Sequence, residues 1–185
     1  MIGSLPKSLT VNNKEYPIRS DYRDCLTILS AFNDPDLSTE EKVIVTLDIM
    51  YKQPIPANEM AEAYEKAVWF LNCGDTISKP QTSSPIYSWS QDEQLIFSAV
   101  NKVAGKEIRA VEYLHFWTFM GLFNEIGEGS FATVISIRSK KRKHKKLEKW
   151  EQEFYRNNKE LVDLKVVLSE DEQKEQDEVS KLLGL

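Results

Sequence analysis

The run Leu114-His115-Phe116-Trp117-Thr118-Phe119-Met120-Gly121-Leu122-Phe123 is the densest apolar stretch in a chain of 185 residues. It holds no proline and precedes Gly127-Glu128-Gly129, so its spacing predicts a helix over about 109–126. Leu114, Phe116, Trp117, Phe119, Met120, Leu122 and Phe123 would wrap almost all round that helix. A helix apolar on most faces must be covered on most faces, by its own chain or by another copy. At roughly 1.5–3 kcal/mol per fully buried large side chain, it is the expected main source of stability.

Moving toward the N-terminus, Ser90 opens a predicted helix with the stripe Leu95, Ile96, Ala99, Val100 and Val103, stopped by Gly105. Residues 75–89 contain Pro80, Pro85 and four serines with little apolar periodicity, and read as a linker. A helix over 57–72 carries Met60, Ala63, Tyr64, Ala67, Val68 and Leu71, with Gly74 as its stop. Another begins at Ser38 or Thr39 ahead of Glu40 and Glu41, with Val43, Ile44, Leu47, Met50 and Tyr51 as its buried stripe. Ser20 or Asp21 caps a first helix that ends at Asp34-Pro35-Asp36. Before it, Leu9-Thr10-Val11 and Tyr16-Pro17-Ile18 flank two asparagines, Asn12 and Asn13, which tolerate the positive φ of a hairpin turn.

Toward the C-terminus, Phe131, Val134, Ile135 and Ile137 start a helical pattern near Ser130 that a basic block interrupts. Leu147, Trp150, Phe154, Leu161 and Leu164 then resume it, which predicts a projecting helix or hairpin. The sum is a mainly α protein: a bundle of five to seven helices with a small N-terminal β-hairpin and a long C-terminal helical region. Its expected divisions are a hairpin and helical group over 1–74, the linker 75–89, and a second helical group over 90–168 containing the basic segment 138–149. Residues 169–185 follow as an acidic tail helix.

Hydrophobic residues make up 41% and charged residues 29%, which excludes a wholly disordered chain. No apolar run approaches the ~20 residues of a membrane span, so no membrane association is expected. The start, MIGSLPKSLT, shows no secretory signal, and two cysteines, Cys25 and Cys73, give no disulfide framework. A cytoplasmic location is the expectation. The net charge of −5 hides an asymmetry: eight basic residues and one acid give 138–149 a charge of +7, leaving −12 on the rest. Residues 170–185 carry six acids against two lysines. The block Arg138, Lys140, Lys141, Arg142, Lys143, Lys145 and Lys146 is the candidate electrostatic contact, for nucleic acid or for acidic segments of this chain or a second copy.

No catalytic constellation is found. His115 reads as a buried imidazole with one hydrogen-bond partner, and His144 as a solvated residue of the basic block. The sequence lacks CxxC, HExxH, P-loop and dinucleotide patterns, so no metal, cofactor or catalytic residue is assigned and no enzyme is expected. Asp92 and Glu93 are expected to cap and charge the start of a helix. Trp89 would staple the linker against it, while Trp69, Trp117 and Trp150 fall on apolar stripes.

The pieces Trp89-Ser90-Gln91-Asp92, Leu95-Ile96 with Ala99, His115-Phe116-Trp117 with Phe119, and Ile135-Ser136-Ile137-Arg138 resemble a family of tailed phages and prophages of Gram-positive bacteria. That family is named after the fifteenth gene product of a Listeria siphophage, and usually has tryptophan where Phe116 stands. The resemblance is best over 89–164. It implies a gene in the tail region, between the major tail protein and the tape measure protein, and hence a non-enzymatic tail assembly chaperone. The expected partners are tape measure protein and/or major tail protein, with self-association into a homo-oligomer. The expected place is the bacterial host cytoplasm, with absence from the mature virion. Candidate core or partner-binding residues are Trp89, Asp92, His115, Phe116, Trp117, Phe119, Met120 and Phe123. The alternative is a phage nucleic-acid-binding or regulatory protein that uses 138–149.

Overall fold

The computed structural model describes residues 3–75 and 86–165. Most of the linker, and the whole of the acidic tail helix over 169–185, lie outside them. The chain opens with strands β1 (Ser8–Val11) and β2 (Lys14–Pro17), paired antiparallel with Leu9 opposite Tyr16 and Val11 opposite Lys14. Asn12 and Asn13 form the two-residue turn at φ +47° and +61°. Both central residues of such a turn need positive φ, and asparagine is the side chain that accepts it best after glycine. The hairpin lays Leu9, Val11 and Tyr16 onto the body.

Three helices follow: α1 (Tyr22–Phe32), α2 (Thr39–Met50) and α3 (Met60–Leu71). Asp21 accepts the Arg23 amide to start α1, and Ser38 with Glu41 forms a reciprocal capping box on α2. No basic residue lies in the last turn of α2; Arg19 supplies the cation instead, its Nη1 donating to the carbonyls of Asp48, Ile49 and Tyr51. A single 3₁₀ turn, Ala57–Glu59, leads into α3. That helix ends with Cys73 at φ +56°, the Gly74 amide reaching back to the Trp69 carbonyl. Gly74 itself sits at φ +92°, and a Cβ there would meet the Trp117 ring at 3.3 Å.

The second half contains α4 (Glu93–Ala104), α5 (Phe116–Asn124), α6 (Ser130–Arg142), α7 (Lys149–Asn157) and α8 (Lys159–Val162). The mainly helical class with an N-terminal hairpin holds; the bounds of two helices, α4 and α5, differ from expectation. Helix α4 starts at Glu93, because residues 88–92 form turns closed by the Asp92 carboxylate and amide. Helix α5 is half the expected length. Residues 108–110 make one 3₁₀ turn and 111–114 run extended beside α1, held by Arg23 Nη2 on the Val111 carbonyl (2.7 Å) and Asp21 Oδ2 on the Leu114 amide (3.0 Å). The His115 Nδ1 then accepts the Trp117 amide at 3.1 Å and starts the helix there.

The C-terminal pattern is the hairpin form of the two predicted shapes. It breaks after Arg142, where His144 adopts φ +51°; its amide reaches the Lys141 carbonyl and the Lys145 amide the Lys140 carbonyl. This paired αL termination satisfies the last carbonyls of α6 and reverses the chain. Helix α8 packs back on α6.

One apolar core runs through both halves, from Leu9 to Phe131. It joins the hairpin, α1–α3, α4 and α5, and includes Phe70, Phe97 and Ile108, none of which the periodicity singled out. Val134, Ile137 and Val162 form a separate small cluster under the C-terminal hairpin. Four stripe residues face outward instead: Ile44, Val103, Leu161 and Trp150, the last 57% exposed. No helix among the described residues is long and apolar enough to cross a membrane.

Candidate functional site

The aromatic helix is spent mostly inside the chain. Phe116 and Phe119 are fully buried, and Phe119 stacks on Tyr22 with ring centroids 4.9 Å apart. Trp117 crosses Trp69 edge-on at 5.6 Å and donates its indole N–H to the Phe70 carbonyl at 2.8 Å. Met120 and Phe123 are half-buried, and Phe123 closes a ring group with Trp89, Tyr87 and Phe131. Trp89 lies 5.0 Å from Phe123 and 5.2 Å from Tyr87, and so staples residues 86–92 onto α5 as its position suggested. The requirement that another copy cover this helix therefore lapses for its two largest buried rings.

His115 has two partners where one was expected. Its Nδ1 accepts the Trp117 amide, so the proton sits on Nε2, which donates to the Pro6 carbonyl at 2.8 Å. Burial pushes its pKa below the usual imidazole value; the Pro6 contact opposes this and Lys7 adds to it. The imidazole is a neutral structural cap that ties the N-terminal segment to α5.

Asp92 and Arg138 form one buried node. Arg138 Nη1 and Nη2 reach the two Asp92 carboxylate oxygens at 2.6 and 2.9 Å. Nε donates to the Val162 carbonyl at 2.6 Å, Nη2 also to Leu161, and Nη1 also to Ile86. Those five bonds use all five guanidinium donors. Asp92 therefore does not cap α4 with its side chain as expected; it anchors Arg138, and the pair joins residues 86, 92, 138 and 161–162. The sequence carried this only as two separate signals, an acid at a helix start and an arginine at the edge of a basic run.

The basic block divides accordingly. Arg138 is saturated and 8% exposed, so it is not available as an electrostatic contact. Lys140 Nζ holds both oxygens of the buried Glu151 at 2.8 and 2.7 Å. Burial pushes that carboxyl up, but Lys140 and the Glu148 amide outweigh it and hold it below the usual range. Lys141 pairs with Asp163 and lies 3.8 Å over the Tyr155 ring. Arg142 is engaged as well. Lys143, Lys145, Lys146 and Lys149 are exposed and have no ion-pair partner among the described residues. Next to them stands the exposed Trp150.

An open groove of about 470 Å³ lies between α4 and the start of α6, and another of about 480 Å³ lies beside Tyr22, Leu26, Trp89 and Phe97. Leu95, Ala99, Val103, Ile126, Phe131 and Ala132 line the α4–α6 groove, with Lys102, Glu125 and Glu128 at its polar edges. Among the described residues, no three His, Cys, Asp or Glu side chains are placed to hold a metal ion. What these surfaces offer is binding, by apolar insertion at the groove and by charge at the basic turn.

A helical body with a groove along two of its helices, and aromatic and Asp92–Arg138 fastenings at the motif positions, is the setting in which the family comparison falls. The family described as Bacteriophage Gp15 protein matches residues 1–164, and the chain belongs to it. The match extends to the N-terminal hairpin and α1–α3, well beyond residues 89–164 that carried the resemblance. Comparison with curated proteins and with solved structures returned no match.

Proposed function

We propose that this phage protein is a non-enzymatic tail assembly chaperone that binds tape measure protein, self-associates, and acts in the host cytoplasm. The observation that carries the reading is membership of the phage family over 1–164, together with the tail-gene position that the resemblance implies. A tape measure chain is long and mostly helical, and a protein that keeps it soluble needs apolar surface that can be covered and uncovered without unfolding. The α4–α6 groove has this character: Val103 is exposed and Leu95, Ala99 and Ala132 leave room for inserted side chains. Self-association is assigned to such outer apolar positions, since the α5 rings are occupied within the chain.

Co-expression of the full chain with the tape measure protein of the same phage tests this. The expected result is a soluble complex that Val103→Asp abolishes while leaving the chain folded, because exposed substitutions usually move stability by no more than about 0.5 kcal/mol. Insoluble tape measure protein beside folded, wild-type chain overturns the reading. The second reading, nucleic-acid binding or regulation, rests on Lys143, Lys145, Lys146 and Lys149 with Trp150. A steep loss of oligonucleotide affinity with salt is its signature.

A further inference from the structure

The basic turn is unusual in this molecule for what it lacks. Arg138, Lys140 and Lys141 each have an acid of the same chain, whereas the four lysines that follow have none among the described residues and share their surface with the exposed Trp150. Surface lysines are usually left to solvent, but four of them flanking an indole 57% exposed make a surface that is both cationic and apolar. Its complement is an acidic segment with apolar residues. Residues 170–178 contain six acids and one lysine, and Val179, Leu182 and Leu183 follow directly.

We infer that the acidic C-terminal segment of this chain, residues 170–183, docks on Lys143, Lys145, Lys146, Lys149 and Trp150 of the same molecule and occludes them. The place where the described chain ends supports the intramolecular route. Asp163 is fastened to Lys141 and to Tyr155, and the Lys165 carbonyl and amide are fastened to the side-chain amide of Gln91. The tail thus departs from beside the basic run. Past Lys165 the chain can extend at most about 17 Å by Glu170 and about 44 Å by Glu178, against at most about 17 Å from Lys141 to Lys146, so acids within 170–178 can reach the lysines without displacing α8. Tethering at this range gives a high effective concentration, which favours the same chain over a second copy at ordinary protein concentrations.

Zero-length carbodiimide crosslinking of the full chain, followed by peptide mass spectrometry, tests the contact. The part-exposed Lys141–Asp163 pair serves as the internal positive control. Expected are isopeptide links between residues 170–178 and one or more of Lys143, Lys145, Lys146 and Lys149, within a monomer-mass species. These links are lost at about 1 M salt, where screening falls to ~3 Å. A full-length chain with the six acids of 170–178 changed to amides should elute from heparin at higher salt than wild type, and adding K143Q, K145Q and K146Q should cancel that shift. Control links without any tail link overturn the proposal. So do tail links confined to pairs of isotopically distinct copies, which assign the surface to a second molecule. Protection of the same lysines by an oligonucleotide in the unmodified chain, with no tail link, assigns it to nucleic acid.

Discussion

The body of this protein and its C-terminal hairpin are both helical, yet they are held together by different forces. From Leu9 to Phe131 the cement is apolar: stacked and crossed rings, with polar groups at the edges closing the backbone. From Val134 to Val162 only three buried apolar side chains form the cluster, and buried charges do the fastening, with Asp92–Arg138 and Lys140–Glu151 at its centre. The difference teaches that a basic run in a sequence can be internal mortar as well as an external surface. An apolar core tolerates volume-conserving change and fails when a cavity opens. A charge-held joint fails when one partner is removed, and can survive when both are.

The largest effect that sharpens this contrast is truncation of Phe119, which fills the centre of the body. Phe119→Ala should cost about 3–5 kcal/mol and lower the unfolding midpoint of the whole chain in denaturant, by every probe together. In the hairpin, Arg138→Met strands a buried carboxylate and should cost about 3 kcal/mol, with amide exchange rising first in α6 and α8. Adding Asp92→Leu to that variant should restore part of the loss. A double variant as unstable as the two single costs summed would break the comparison, since it would mean the pair contributes packing alone.

A smaller effect separates the two regions by pH. The folded-state pKa of His115 lies below its ordinary value because the ring is buried as a neutral cap. The unfolded chain therefore binds the proton more readily, and stability falls as pH drops through and below about 6.5. Glu151 and Asp163 behave differently: their pKa values are lowered, so the stability they give the hairpin is lost only as pH falls further, below the usual carboxylate range. Chemical denaturation at pH 7, 5.5 and 3 should show the first loss reduced in His115→Gln and the second reduced in Glu151→Gln. The smallest expected change is at the hairpin turn. Asn13→Gly should be neutral or slightly stabilising, and Asn13→Val should cost about 1–2 kcal/mol, because only the former accepts φ +61° without strain.

Much of the fold was legible because its signals are local. Asn12-Asn13, the Ser38–Glu41 capping box and Gly105 are short-range devices, and each sits where its chemistry placed it. The start of α5 was not legible, because Asp21 and Arg23, some 90 residues away in sequence, hold 111–114 extended against the helical pattern. Trp150 has helical spacing, yet among the described residues it stays 57% exposed. At the candidate site, the identity of the aromatic residues was readable and their division between core and surface was not, since that depends on what lies opposite. Asp92 and Arg138 were each visible; their pairing is a property of the tertiary fold alone.

The chaperone account is tested most directly by following the protein through phage production with a tagged, full-length chain. Purification from cells during assembly and mass spectrometry of finished particles give the two halves of the answer. The account predicts tape measure protein bound to the chain before particles mature, and no chain in the purified virions. A stoichiometric amount of this protein in finished virions would contradict it and make the chain a structural component of the particle.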